Sequence, residues 1–320
     1  MNKKWFIFGS AALASVILFM SVSSGSFSSV FWTYLSAFPL FLLGLQKDVK
    51  LSGLGGAIAA MLLYFVSSPL TALIYICSVA VPVALLCEKA VTKYFLKEEA
   101  SGITWYPVGR LCVWLTIPPV AMFSAIFLYF QLGDIGLQKI LAEKADVVMD
   151  YYRMVLKEQG QNIESNLSAQ LNHIKTSFVD TAPALFSVFW MTIIFLNGLL
   201  AQTILIRLKR NERPSFVMSD IELPQFIVIT FLVTVLVAGF TTGHLEYCFI
   251  NLAAIIAFPI LLSGLGVVHS LANKSRHRLG ILIILYMVIT FSRWAALVII
   301  LIGVLDHFFK FRTRIGATKL

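Results

Sequence analysis

Six polar side chains stand inside or at the ends of long apolar runs: Asn197, Gln202, Asn251, His269, Arg293 and Asp306. These are the residues whose types could do chemistry. An ionisable group at the centre of a bilayer costs about 2.5 kcal/mol or more, so its presence points to a substrate or ion path, a proton relay or a buried pair. The bland reading for the amides Asn197 and Gln202 is a hydrogen bond between helices, typically ~0.6 kcal/mol in a membrane. Asp306 lies between the last apolar run and a basic tail, within reach of Lys310 or Arg312. Arg293 interrupts that last run and reads as either an inward-facing functional cation or the tip of a hairpin.

Recognised catalytic patterns are absent. The chain has no H-E-x-x-H helix, no G-x-x-x-x-G-K-[ST] loop and no G-x-S-x-G elbow, so zinc hydrolysis, P-loop energy coupling and hydrolase acyl transfer lack support. His173, His244, His269, His277 and His307 are scattered, and Cys77, Cys87, Cys112 and Cys248 show neither metal nor redox spacing. The expectation is a protein without enzymatic activity, with no catalytic, cofactor-binding or metal-binding residue assigned.

The elements that must position the six residues follow from composition. Of 320 residues, 59 % are hydrophobic and only 13 % charged, and the mean hydropathy is +0.87. A soluble chain carries about 25 % charged residues, so a soluble enzyme, a disordered chain and a disulfide-stapled scaffold are excluded. Apolar runs fall at 5–20, 27–45, 51–66, 70–87, 111–132, 182–206, 223–240, 249–271 and 279–305, each near the ~20 residues that cross a bilayer core. The fold class is therefore all-α, a polytopic helical membrane bundle of nine or ten transmembrane segments.

The formal charge of +9 invites a nucleic-acid reading, which placing the charges removes. With a cytoplasmic N-terminus, the inner segments hold fifteen cations and seven acids, and the outer segments five cations and eight acids. The excess is a topology signal of the positive-inside kind in a bacterial cytoplasmic membrane, with no nucleic-acid partner implied. Nine spans would leave Lys310, Arg312, Arg314 and Lys319 outside. Folding the last run into short helices over 280–291 and 294–309 puts Arg293 at an outer tip and the tail inside; one long tilted helix is the alternative. The first run, behind Lys3 and Lys4, reads as an uncleaved anchor or as a secretory signal peptide.

Three regions result: an N-terminal bundle (1–133), an outer-face amphipathic helical arm (134–181) and a C-terminal bundle (182–320). In the arm, Ile163, Leu167, Leu171, Ile174 and Phe178 form one seam at helical spacing, and Ile140, Val148, Tyr152 and Val155 another. Gly160 is a plausible break. The arm reads as an amphipathic hairpin or a single bent helix. Pro39, Pro82, Pro118, Pro119, Pro183 and Pro259 imply kinks. The pairs Gly55 with Ala59 and Gly56 with Ala60, and the stretch from Ser263 to Gly266, imply close helix packing.

The last hundred residues carry a resemblance. An Asn-led span, NLAAIIAFPILLSGLGVVHS from Asn251, is followed by a final helix closing in GVLDHFFKFR from Gly303. At Asn251, Gly264, His269, Gly303, Asp306, Phe311 and Arg312 this resembles the YybS-like family of bacterial membrane proteins, a domain of unknown function. That family is distantly similar to the S-components of energy-coupling-factor transporters. The resemblance implies a transport-related protein binding an unknown small molecule within the bundle, with the bilayer and an energising membrane-protein partner around it. The alternative is a non-transporting scaffold or assembly factor acting through the arm or the basic tail.

Overall fold

The structure is a computed structural model that describes residues 3–46, 50–95, 103–133, 136–158 and 165–312; the side chains of residues 3–7, 27, 94, 95, 103, 165, 166 and 293 fall outside it. Among the described residues the regular structure is helical, save one small antiparallel ribbon pairing β1 (Lys93–Phe95) with β2 (Ile103–Trp105). Every apolar run is helical. The helices are α1 (Lys3–Met20), α2 (Phe27–Tyr34), α3 (Phe38–Gly44), α4 (Lys50–Val66), α5 (Pro69–Tyr75) and α6 (Val81–Ala90). After the ribbon come α7 (Val108–Leu132), α8 (Leu137–Glu158), α9 (Ser165–Arg207), α10 (Gln225–Phe240), α11 (His244–Ala272), α12 (Arg278–Phe291) and α13 (Arg293–Phe309).

Among the described residues, four helical stretches are long and apolar enough to cross a membrane: Pro69–Ala90, Val108–Leu132, Leu167–Arg207 and His244–Ala272. Four shorter apolar helices accompany them. At 1.5 Å per residue, the 17 residues of α4 reach about 25 Å, a span that local thinning accommodates. The last apolar run is two helices that bend by 117° between α12 and α13. The break falls at Ser292, whose backbone is extended (φ −131°, ψ 111°), and Arg293 opens α13. Of the two readings of this run, the broken one is realised.

Prolines decide where helices start and where carbonyls are freed. Ser68 caps α5 by accepting the Thr71 N–H at 3.1 Å, ahead of Pro69. Pro39 sits in the first turn of α3, just beyond the break that separates it from α2. Pro82 cannot donate to the Ser78 carbonyl four residues back; Trp190 Nε1 donates to that carbonyl instead, at 2.9 Å. A π-helical turn over Ile76–Ala80 joins α5 to α6 at the same place.

Contacts divide the chain into two compact units, 1–115 with 190–225 and 259–320, and 116–189 with 226–258. The first unit buries Ala12, Leu40, Leu63, Val83, Leu205 and Ile260 completely. A polar knot lies among them. Ser15 Oγ donates to the Ser36 carbonyl at 2.6 Å and shares a hydrogen bond with the Tyr75 hydroxyl at 2.6 Å. Ser15 and Tyr75 are wholly buried, so α1 is part of this unit's core.

The second unit contains the arm, which is an antiparallel hairpin of α8 against the start of α9. Three side-chain pairs fix its register: Gln138 with Asp180, Asp146 with Lys175, and Arg153 with Asn172. The apolar seams differ from those read in the sequence. Leu171 is buried as expected, but Ile174, Phe178, Val148 and Tyr152 are exposed. The buried line runs through Leu137, Ala145 and Leu156 on α8 and Leu171 and Val179 on α9. The cause is that Lys175 occupies the position between Leu171 and Val179 and pairs with Asp146, which turns the apolar seam one step aside. Ile163 and Gly160 lie outside the described residues.

Candidate functional site

The most elaborate polar arrangement is a socket at the end of α13. Lys310 adopts the left-handed conformation (φ 49°, ψ 50°) and its N–H donates to the Asp306 carbonyl at 2.8 Å, an αL helix cap. The chain therefore turns back and delivers Arg312 into the first unit. Its Nη1 donates to the Ser219 and Ile221 carbonyls, each at 2.8 Å. Its Nη2 donates to Ser263 O at 2.9 Å and Ser263 Oγ at 2.8 Å. Nε lies 2.9 Å from Asp306 Oδ2, a charge contact rather than an aligned hydrogen bond. Both side chains are only 10 % exposed. A planar five-donor guanidinium serves this many fixed acceptors, and an ammonium does not.

Gly264, read from the sequence as a packing residue, and Gly303, a position of the family resemblance, build the walls of this socket. A Cβ on Gly264 would collide with the Ile299 carbonyl, and one on Gly303 with the Ile260 carbonyl. Backbones of α11 and α13 thus touch directly, which places Ser263 beside Asp306. A Cβ on Gly109 would strike the Glu222 carbonyl, so the loop preceding α10 lies tightly on the start of α7. Of the two cations left open as partners for Asp306, Arg312 takes the role.

Asn251 performs a different task in the second unit. Pro183 lies within α9 and cannot donate to the Val179 carbonyl, which instead accepts from Tyr247 Oη at 3.3 Å. One residue on, the Asn251 amide bridges the Ala184 N–H and the Asp180 carbonyl. Its Oδ1 accepts from Ala184 N at 3.0 Å and its Nδ2 donates to Asp180 O at 2.9 Å and Tyr247 O at 2.9 Å. Asn251 is fully buried with its side chain paired at both ends. It is a clamp across a proline kink.

The remaining candidates are also engaged locally. Asn197 Nδ2 donates to the Tyr34 carbonyl, freed where α2 ends, and to Ile193 O, both at 2.8 Å, while its Oδ1 has no partner. Gln202 Nε2 donates to Arg213 O at 2.8 Å, pinning the loop after α9. His269 Nε2 meets Tyr286 Oη at 3.0 Å, linking α11 to α12. The Arg293 side chain lies outside the described residues. The structure thus brings together Asp306 and Arg312, with Gly264 and Gly303, and leaves Asn197, Gln202, Asn251 and His269 at four separate contacts.

Two of the cavities among the described residues lie in the first unit. One, about 120 Å³, is walled by apolar side chains of α3, α6, α7 and α9, with Gln202 and Arg213 at its edge. The other, about 570 Å³, is an open recess edged by Ser21, Ser24, Ser26, Ser28, Ser29 and Trp32. Sequence reasoning missed Arg213, Ser263, Gly109 and the pair of Ser15 with Tyr75. Ser263 lay inside a stretch flagged for packing; the others gave no signal apart from their residue type. Among the described residues no cluster of three metal-ligating side chains forms.

Apolar helices of spanning length, proline kinks bridged by side-chain amides and glycine-mediated backbone contacts define a polytopic helical membrane protein. The chain matches the family described as "Predicted membrane protein (DUF2232)" over residues 12–307 and belongs to it. No curated protein matches the chain, and no solved structure does.

Proposed function

We propose that this protein is a non-transporting membrane scaffold or assembly factor that contacts a partner protein through its helical arm. The observation that carries the reading is where the intramembrane polar groups go. Asn197, Gln202 and Asn251 turn their amides to backbone groups of this chain, His269 meets Tyr286, and Asp306 pairs with Arg312. A binding site for a polar small molecule, as the S-component resemblance implies, calls for several such groups converging on one cavity. Of these side chains Gln202 alone lines either of the two cavities described above, and its amide is held by the Arg213 carbonyl. The residues shared with the YybS-like pattern support a common architecture, since Asn251, Gly264, Gly303, Asp306 and Arg312 all make intramolecular contacts.

The arm carries the surface for a partner. Val147, Tyr151 and Met154 follow at i, i+4 and i+7 on α8 with Val148 beside them, all more than half exposed. By the positive-inside rule, the loops bearing Arg207, Lys209, Arg210, Arg213, Lys274, Arg276 and Arg278 face the cytoplasm of a bacterium and the arm faces outward. A photo-crosslinking residue at Tyr151, introduced in native membranes, is expected to give one discrete protein adduct. The same probe at exposed Lys144 should give none, and Asn197→Leu should leave the Tyr151 adduct intact. A purified protein that retains a polar metabolite, lost on Asn197→Leu or Gln202→Leu, would overturn the proposal in favour of transport.

A further inference from the structure

The 120 Å³ cavity in the first unit has a chemistry of its own. Its wall is formed by side chains such as Phe41, Leu86, Leu115, Ile194 and Leu199, and Arg213 stands at its edge. Arg213 lies in the loop after α9, half-buried, where Gln202 and Asn211 hold its carbonyl. Its guanidinium makes one long hydrogen bond, from Nη1 to the Ala90 carbonyl at 3.3 Å. Among the described residues no carboxylate lies within ion-pair distance of it: the adjacent Glu212 is turned to Lys93 at 3.1 Å. Arg312, by contrast, has acceptors on both Nη1 and Nη2 and a carboxylate, Asp306, beside it. Burial penalises the charged guanidinium and lowers its pKa from the ordinary value; a bound anion would offset that penalty.

We propose that this cavity and Arg213 together form a binding site for an anionic phospholipid, its phosphate on the guanidinium and one end of an acyl chain in the apolar pocket. Size favours a lipid over a water-soluble ligand. Pockets that enclose a whole small molecule run to about 300–1,000 Å³, whereas this one holds only a fragment whose remainder stays in the bilayer. Charge favours an acidic headgroup, because basic pockets between membrane helices recognise such lipids and Arg meets phosphate with paired donors. The site lies at the ends of α6 and α7 where the cationic loops are, the level at which headgroups sit.

Native mass spectrometry of the full chain in a mild detergent tests this directly, with phosphatidylglycerol, phosphatidylcholine and inorganic phosphate added in turn. Phosphatidylglycerol is expected to bind at least tenfold more tightly than phosphatidylcholine. Arg213→Gln should remove that preference and Arg213→Lys should keep most of it. Leu199→Trp, which fills the pocket and leaves the cation in place, should weaken phosphatidylglycerol by a similar factor. Arg110→Gln, which removes an exposed cation of the same end, should change nothing. Equal binding of the two lipids, unaltered binding by Arg213→Gln, an equal loss with Arg110→Gln, or full competition by inorganic phosphate at matched concentration would each overturn the assignment.

Discussion

Replacing Arg312 with alanine probes the socket that closes α13. The side chain is one member of an ion pair whose partners are each 10 % exposed, so solvent screens the pair little. Breaking a buried pair by deleting one partner costs about 3–5 kcal/mol, because the other charge is left behind. The substitution also removes donors from the carbonyls of Ser219, Ile221 and Ser263. These lie near the chain's loops, where water replaces part of what is lost, so no further full penalty is added. At about 2 °C per kcal/mol for a chain of this size, the unfolding midpoint should fall by roughly 6–10 °C. Arg312→Lys retains the charge but not the fork, and should fall between Arg312→Ala and the native protein. Asp306→Asn should cost about 1.5–3 kcal/mol, the worth of a charged hydrogen bond. The assay is thermal unfolding of the purified protein in a single detergent, followed by intrinsic tryptophan fluorescence with monodispersity checked after heating. Because the two residues act as one pair, the double variant Asp306→Ala with Arg312→Ala should be less destabilised than the sum of the singles. An Arg312→Ala midpoint within about 1 °C of the native value, or strict additivity, would refute the reasoning.

Three further outcomes follow from the same contacts. Asn251→Leu removes three side-chain hydrogen bonds, to Ala184 N, Asp180 O and Tyr247 O, and at ~0.6 kcal/mol and up to ~1.7 per membrane hydrogen bond should cost about 2–4 kcal/mol; the loss should shrink in a Pro183→Ala background, where a continuous ladder can form, as a double-mutant cycle in thermal unfolding would show. Gly303→Val forces a side chain into the Ile260 carbonyl and should abolish monodisperse expression, whereas Gly239→Ala, with open space around it, should leave yield and melting unchanged. Asn197→Leu should cost only about 1 kcal/mol, because the native Oδ1 is already unpaired and the two lost membrane hydrogen bonds, to the Tyr34 and Ile193 carbonyls, are worth ~0.6 kcal/mol each; a drop in midpoint comparable to that of Asn251→Leu would contradict this.

Much of the architecture was legible because hydropathy is a property of contiguous residues. Nine apolar runs became helices, and the interruption at Ser292 and Arg293 marked the bend between α12 and α13. The arm's hairpin was one of two readings open in its spacing. Its contact face was not legible: the seam through Ile174 and Phe178 yields to one through Leu171 and Val179 because a charged pair, Lys175 with Asp146, claims the inner line. Periodicity counts apolar positions and is blind to a salt bridge that seats a half-buried lysine between them.

The candidate polar residues divide in the same way. Their presence in apolar runs was visible from residue type alone, as was the pairing of Asp306 with a nearby cation. Which partner each one takes depends on distant chain: Arg312 reaches Ser219, Ile221 and Ser263, and Asn251 reaches a kink created by Pro183. By itself the sequence determined that this is a helical membrane protein, because burial preference is a local quantity. Only the tertiary structure decided which backbone groups Asn197, Gln202, Asn251 and Arg312 hold. A carbonyl freed by a proline, or a backbone approach allowed by a glycine, has no meaning until the second helix is in place.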